Sequence, residues 1–479
     1  MSFSEKFIEI MNSNIRPKCE PKITVSGTAE NGTDINLEWN AKDIKSLTFH
    51  RSIDPVGRNL PVMELQWTEV YKGKFNSQNF PFKYTNVSKL MAVNLEFHQY
   101  LGFYQTWKTL KALTWKEVKA LTWKKVKEEV AYETIKLPTL FLKSTPEVSG
   151  QTIKWTAVDP LSFWATKHQS MTAYENIPYY TVLWNYIFAS SSGFPIQLAQ
   201  FYDSTLNYIS ALNSGELLGT NVVLDGAVNS EMVKYLSPKN RYLDFDTEHL
   251  LIKTFSPYKS ETPTTTIPLK MQYKSPKYEF ASQISRYSYK KYQWARHDES
   301  DKELSPSKVE LLEENEDGTK LYALTYIFEG YGIPHYGGAG TEFADDITSL
   351  TIVSTDPTEK MTVTPVSYNS TDSYIEKPDV SGEIYSEDNS LNVYTETQLA
   401  ERYEYLSAWF DSKNHIVTID TPTLLNLNVG DLANVETLMY NDDGTSLVVP
   451  SMLIEYTLSY TGALKQTSVF HELQSKTGG

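Results

Sequence analysis

Cysteine is almost missing from this chain: Cys19 is the only one in 479 residues. That excludes an internal disulfide framework and a multi-cysteine zinc site within one chain. Cys19 itself reads as a small, semi-buried hydrophobe. Histidine pairs are missing too. His50, His98, His168, His249, His297, His335, His415 and His471 are scattered, with no two at the i, i+4 spacing of a zinc helix. His471-Glu472 lacks the second histidine of a metalloprotease motif. There is no G-x-S-x-G elbow and no Gly-Lys-Ser/Thr phosphate loop. Gly330-Tyr331-Gly332 fails the dinucleotide fingerprint because position 335 is histidine. Positive charge is in deficit, with a formal charge of −15, which argues against a surface that coats nucleic acid. No apolar run reaches the roughly 20 residues of a membrane helix. The nearest, 179–202, is interrupted by Asn185, Ser190 to Ser192 and Pro195. The opening Met1-Ser2-Phe3-Ser4-Glu5-Lys6 has no basic region followed by an apolar one, so synthesis in a cytoplasm is expected. No catalytic, cofactor or metal residue is assigned, and no cofactor is expected. Asp345-Asp346 and Asp442-Asp443 read as turn charges, with calcium ligation the minor alternative. Ser190 to Gly193 reads as a loop between helices. His335, in an irregular Gly-Pro-Tyr loop, is the one histidine singled out for testing.

What the chain has in plenty is strand-forming residues. Tyr (32) and Phe (20) are abundant, together with Thr and Val, which favours strands over helices. The length predicts about three domains. Ile23 and Val25, then Ile35, Leu37 and Trp39, alternate as two strands across the turn-like Glu30-Asn31-Gly32. Asp54-Pro55 and Gly57 break the chain, and Met63, Leu65 and Trp67 alternate with polar neighbours as a one-sided strand. Strands return at Thr134 to Leu142 and Gln151 to Val158, and Thr152 to Ala157 is read as closing a first barrel. After Pro160 two helices are expected, 179–188 and about 195–212, the second from the spacing of Leu198, Phe201 or Tyr202, Leu206, Ile209 and Leu212. From about 223 to 391 strands alternate with long polar loops. A helix starts at Thr395, with Gln398 at the capping-box position and Leu399, Tyr403, Leu406 and Phe410 on one face.

A repeat interrupts the first strand-rich region. Thr106-Trp107-Lys108, Thr114-Trp115-Lys116 and Thr122-Trp123-Lys124 recur every eight residues. In one continuous helix the tryptophans would drift by about 80° per repeat, so three short helical turns fit better. Thr114 with Glu117 fits a capping box. The functional reading is a contact surface for a neighbouring subunit; the alternative is an insertion held by its own Trp packing.

The closing segment gives the clearest pattern. Val429-Gly430-Asp431 is a tight corner into a strand, 432–438. Asn441-Asp442-Asp443-Gly444 is a turn signal. Leu453 to Tyr460 alternates as a strand with one apolar face, and Thr461-Gly462 turns the chain into a last strand, 463–471. This meander, "VGDLANVETLMYNDDGT" followed by "IEYTLSYTGALKQTSVFHEL", resembles the closing barrel of the tail-hub, or baseplate-hub, proteins of phages of Gram-positive hosts. "DIKSLTFHRSIDPVGRNLPVMELQWTEVYKGKFN" resembles the first barrel of the same family, and "L-x-x-R-Y-x-Y-L" before the last barrel also follows its order.

The resemblance implies a mainly β (α+β) chain with two small antiparallel β-barrel domains near its ends. The expected division is 1–165, the first barrel with the repeat insertion at 106–130; 166–222, a small helical or α+β domain; 223–390, a β-rich domain with long loops; and 391–479, a helix plus the second barrel. It implies a structural virion protein rather than an enzyme, a homotrimer at the distal end of the tail. Its partners would be the tail tube or distal tail protein and a tip, spike, fibre or tape-measure protein, with DNA passing unbound. A tail-associated cell-wall hydrolase and a host-surface carbohydrate adaptor are the alternatives. The missing motifs and the lack of a further domain after Gly479 argue against the hydrolase.

Overall fold

The computed structural model describes residues 18–28, 34–70, 91–103, 114–116, 130–162, 168–175, 201–202 and most of 221–474. The stretches left out of that last range are 228–231, 246–248, 259–262, 297–301, 315–317, 328–330, 335–339, 344–348, 377–382 and 388–395, and isolated positions such as 58 and 144–145 are left out as well. The fold is mainly β, with the helix Glu396–Trp409 as the one α-helix longer than a turn among the described residues.

Strict alternation builds the N-terminal end. In β1 (Cys19–Thr28) Cys19, Ile23 and Val25 are buried, and β2 (Asp34–Asn40) adds Ile35 and Trp39. Next come β3 (Ile44–Ser52) and β4 (Val62–Val70), which turn Leu47, Phe49, Met63, Leu65 and Trp67 to the same interior. The interior is completed by β5 (Ala92–Phe103), β6 (Val130–Lys136), β7 (Leu140–Leu142), β8 (Glu147–Ser149) and β9 (Thr152–Val158). A period of two puts every second side chain on one face. Trp39 meets Trp67 and Trp155 edge-on, with ring centroids 5.5 Å and 5.2 Å away, while Trp67 and Trp155 stack. Both Trp39 and Trp155 donate their indole N–H to Glu69.

The C-terminal meander follows the sequence closely: strands Leu432–Tyr440, Ser446–Tyr460 and Leu464–Glu472, preceded by His415–Thr421. Gly444 in its first turn has φ +80°. Among the described residues the two ends form one sheet rather than two separate barrels. The second half of Ser446–Tyr460 pairs antiparallel with β3, from Tyr460↔Leu47 to Glu455↔Ser52, while its first half pairs with Leu432–Tyr440. The result is one fifteen-stranded sheet over a continuous apolar core, and no barrel closes among the described residues. Alternation specifies which face of a strand is buried; it does not specify its neighbour, and here the free side of β3 takes a strand from the far end of the chain.

Between the ends, an eight-stranded sheet is centred on the long antiparallel pair Ile284–Arg296 and Met361–Glu376. A three-stranded sheet joins Phe201–Tyr202, Leu250–Lys253 and Tyr242–Phe245, and another joins Lys308–Glu314, Lys320–Ile327 and Ser349–Ser354. Phe201 and Tyr202 lie inside the segment expected as a second helix, yet they pair in parallel with Leu250 and Leu251, so tertiary pairing overrides the helical spacing there. The described parts of 168–175 and 221–227 are strands as well. No helix among the described residues is long and apolar enough to cross a membrane.

Candidate functional site: the junction of the two ends

The residues that carried the family resemblance come together. The loop after β3 turns at Asp54-Pro55-Val56-Gly57, closed by the Gly57 N–H donating to the Asp54 carbonyl at 2.9 Å. Gly57 has φ +73°, and a Cβ there would lie 2.5 Å from the ring of Tyr242. At the other end, Gly430 has φ +91°, and its Cβ would lie 2.7 Å from the ring of Phe255. Tyr242 and Phe255 stack on each other with centroids 5.3 Å apart. One aromatic pair from the middle of the chain therefore fills the hollow of a glycine corner from each end. Gly430 and Leu453 are further tied by backbone hydrogen bonds, Gly430 N–H to Leu453 O at 2.7 Å and Leu453 N–H to Asp431 O at 2.9 Å.

The helix Glu396–Trp409 closes this junction from above. Arg402 is fully buried and donates to Asn240 Oδ1 at 2.9 Å and to the carbonyl of Val56. Tyr405 donates its hydroxyl to the Pro55 carbonyl at 2.7 Å and also meets the hydroxyl of Tyr242. Burial pushes the Tyr405 hydroxyl up to about 12, so it stays a donor. Val56, Tyr242, Ile284, Tyr287, Leu406, Trp409, Met452 and Leu473 pack as one apolar cluster around these contacts. Phase explains the helix: Arg402 lies four residues before the buried Leu406, on the face that packs inward.

A second buried polar group lies under β3. Arg51 continues the inward series Leu47, Phe49 and is 4% exposed. Its Nη2 donates to both oxygens of Asp244, at 3.2 Å and 3.3 Å, and to the Phe245 carbonyl at 3.4 Å. Lys253 Nζ donates to Asp244 at 2.6 Å, and the Phe245 N–H at 2.9 Å. Burial opposes ionisation of Asp244, but the charges of Arg51 and Lys253 outweigh it and hold the carboxyl below the usual range. This trio fixes the end sheet to the three-stranded sheet.

Of the residues weighed from the sequence, Cys19 is buried and its thiol is pushed up to about 12, first by burial and then by Glu20. Asp443 is a turn charge: its Oδ1 accepts the Thr445 N–H at 2.9 Å and hydroxyl at 2.6 Å, which lowers its pKa. His50 touches Thr457 Oγ1 at 3.1 Å, His98 stacks on Tyr132, and His415 pairs with Glu472. His471 is buried edge-on to Trp409, and burial lowers its pKa. His297, His335, Asp345, Asp346, Ser190 to Gly193 and both expected tryptophan flanks of the repeat lie outside the described residues. Among the described residues no three His, Cys, Asp or Glu side chains gather to hold a metal ion. Sequence reasoning missed Arg51, Asp244 and Arg402. The available signal was a charged residue in phase with apolar ones.

No family model and no curated protein matches this chain. Solved structures with a similar course include a 43 kDa tail protein of prophage MuSo2 from Shewanella oneidensis, 10% identical, covering 94% of this chain and 98% of its own, with a TM-score of 0.44. A tail protein from Neisseria meningitidis MC58 is 7% identical over 94% and 96% of the two chains, with a TM-score of 0.44. Prophage tail protein gp18 from Listeria monocytogenes EGD-e is 8% identical over 93% and 94%, with a TM-score of 0.40. These three are described as tail proteins, two of them of prophages, at identities and scores that leave the function of this chain to be argued from its own residues.

Proposed function

We propose that the chain is a structural virion protein, the hub at the distal end of a phage tail. It would assemble as a homotrimer, join the sixfold tail tube to a threefold tip, spike or fibre, and close the channel until DNA is ejected. One observation carries the reading. The residues that resemble the hub family at both ends, Asp54 to Gly57 and Gly430-Asp431, seat on one aromatic pair, and β3 and Ser446–Tyr460 make the two ends a single sheet. Three copies about a threefold axis would then present six end segments, two from each chain, which suits a part that meets sixfold symmetry on one side and threefold on the other.

Its partners are then further copies of itself, the tail tube or distal tail protein, and a tip, fibre or tape-measure protein, with DNA passing without specific contacts. Synthesis takes place in the host cytoplasm. The net charge of −15, where it faces the channel, would repel DNA and keep it from the walls. The test is the mass of the purified chain in solution together with electron micrographs of its particles. Threefold rings with a central opening are expected; monomers only, or rings of another number, overturn the reading.

A further inference from the structure

Two parts of the chain stand apart from the rest in charge. The first is the repeat 106–127, which holds seven Lys against one Glu in a chain that is acidic overall. Its described turn displays Trp115 at 77% exposure beside the exposed Lys116. A tryptophan in that position leaves its large apolar surface in water, and interfaces are where such side chains find cover. The second is the hairpin Lys308–Glu314 and Lys320–Ile327. Between 298 and 317 nine Asp or Glu stand against two Lys. All seven residues of Lys308–Glu314 are exposed, including Val309, Leu311 and Leu312. Among the described residues this strand pairs on one side only, with Lys320–Ile327, and no described strand lies along its other edge. Its ion pairs, Lys308 with Glu310 at 2.7 Å and Lys320 with Glu314 at 3.4 Å, are exposed and contribute little. A free, partly apolar edge invites a covering element.

We propose that the edge strand Lys308–Glu314 is the docking surface for the turn of the repeat that displays Trp115 and Lys116, supplied by a second copy of this chain. The two segments are opposite in charge by sequence, and Trp115 and the strand each display apolar surface. Trp115 and the strand are both exposed within the single chain, so they do not cover one another there, and the complementary surface belongs to another copy. In the contact Lys116 faces the run of Glu310, Glu313 and Glu314, and Trp115 covers the exposed Val309, Leu311 and Leu312. The contact joins two different surfaces, so it is heterologous: repeated, it closes a ring or extends a chain rather than forming a twofold dimer. It goes beyond the hub reading and does not depend on it.

Charge reversal on each side gives the test, using the full chain and sedimentation at several salt concentrations. Lys116→Glu with Lys119→Glu, and separately Glu310→Lys with Glu313→Lys, are each expected to weaken self-association about tenfold or more. Mixing the two variants in equal amounts is expected to restore it, because each then offers a surface that the other matches; a misfolded variant would not be rescued. Trp115→Ala, at an exposed position where folding is not at stake, weakens association while leaving its salt dependence unchanged. Self-association that survives both reversals, a mixture that stays apart, or a wild-type chain that does not self-associate overturns the proposal. Rings formed equally well by both reversed variants would remove this contact and leave the hub reading standing.

Discussion

The junction around Tyr242 and the outlying sheet of Lys308–Glu314, Lys320–Ile327 and Ser349–Ser354 are both built from strands, yet they place charge and apolar surface in opposite ways. At the junction Arg51, Asp244 and Arg402 are each under 5% exposed, and every neighbouring aromatic ring is packed. In the outlying sheet Ala323, Leu324 and Tyr326 are buried, while Val309, Leu311, Leu312, Ile327 and Val353 remain 44–62% exposed. Buried charge is tolerated only with partners in place, so it fixes one arrangement of three separate chain segments. Exposed charge constrains little, and the apolar surface beside it is left to be covered from outside. The first region holds the molecule to itself; the second faces outward.

The comparison is broken most sharply at Asp244. Asp244→Ala leaves Arg51 buried without its carboxylate and is expected to cost about 3–5 kcal/mol in denaturant unfolding. Glu314→Ala, in the outlying sheet, is expected to stay within about 0.5 kcal/mol. The folded pKa of Asp244 is depressed, so its contribution is present above the ordinary carboxylate pKa and is lost as pH falls through the folded value. Equal losses for the two variants would remove the distinction between the regions.

Glycine tests the same contrast through the backbone. Gly57 and Gly318 both have positive φ, +73° and +87°. A Cβ at Gly57 meets Tyr242 at 2.5 Å, whereas at Gly318, in the outlying hairpin, nothing lies within 4 Å. Gly318→Ala should cost only the left-handed backbone term, about 1 kcal/mol. Gly57→Ala adds displacement of a packed ring and should cost about 3 kcal/mol. Melting curves of the two variants decide it.

A smaller effect is expected at Asp159, at the rim of the end sheet. This carboxyl is 1% exposed; it accepts the Met63 N–H at 2.9 Å and the Ser162 N–H at 3.0 Å. Burial raises its pKa to about 6. With the folded pKa above the unfolded one, the folded state holds the proton more tightly, and stability falls as pH rises from 3.8 through about 6. Asp159→Asn removes that dependence, so its cost, about 1–2 kcal/mol at pH 5, shrinks by pH 8. A cost that is the same at both pH values would place the carboxyl's pKa elsewhere.

Much of the end sheet was legible in the sequence. The corner at Gly430, the turn at Gly444 and the alternation through Met63, Leu65 and Trp67 follow from backbone conformations and a period of two, which are local properties. Partners were not legible, because the strand that flanks β3 lies some 400 positions away and alternation is silent about neighbours. The two barrels expected at the ends do not close among the described residues for this reason. At the junction, Gly57 and Gly430 were visible as corners, while their shared contact with Tyr242 and Phe255 was not. Arg51 and Arg402 were in phase with apolar faces, but a charged residue in such a phase is read as an interruption unless its buried partner is known. The second helix failed at Phe201 and Tyr202 because apolar residues at helical spacing also suit a short buried strand.

The smallest expected effect is the most informative about the outlying sheet. Leu311 is 52% exposed and stands opposite Tyr322 on the edge strand. Leu311→Thr keeps a strand-forming residue there and removes apolar surface that is already largely in water. Its effect on the stability of the isolated chain should therefore stay within about 0.5 kcal/mol. If Leu311 is surface waiting for cover, the same substitution weakens self-association measured by sedimentation. If it instead belongs to a core, unfolding reports a loss of about 2 kcal/mol or more. A stable, more monomeric variant keeps the two regions apart in kind, and an unstable one merges them.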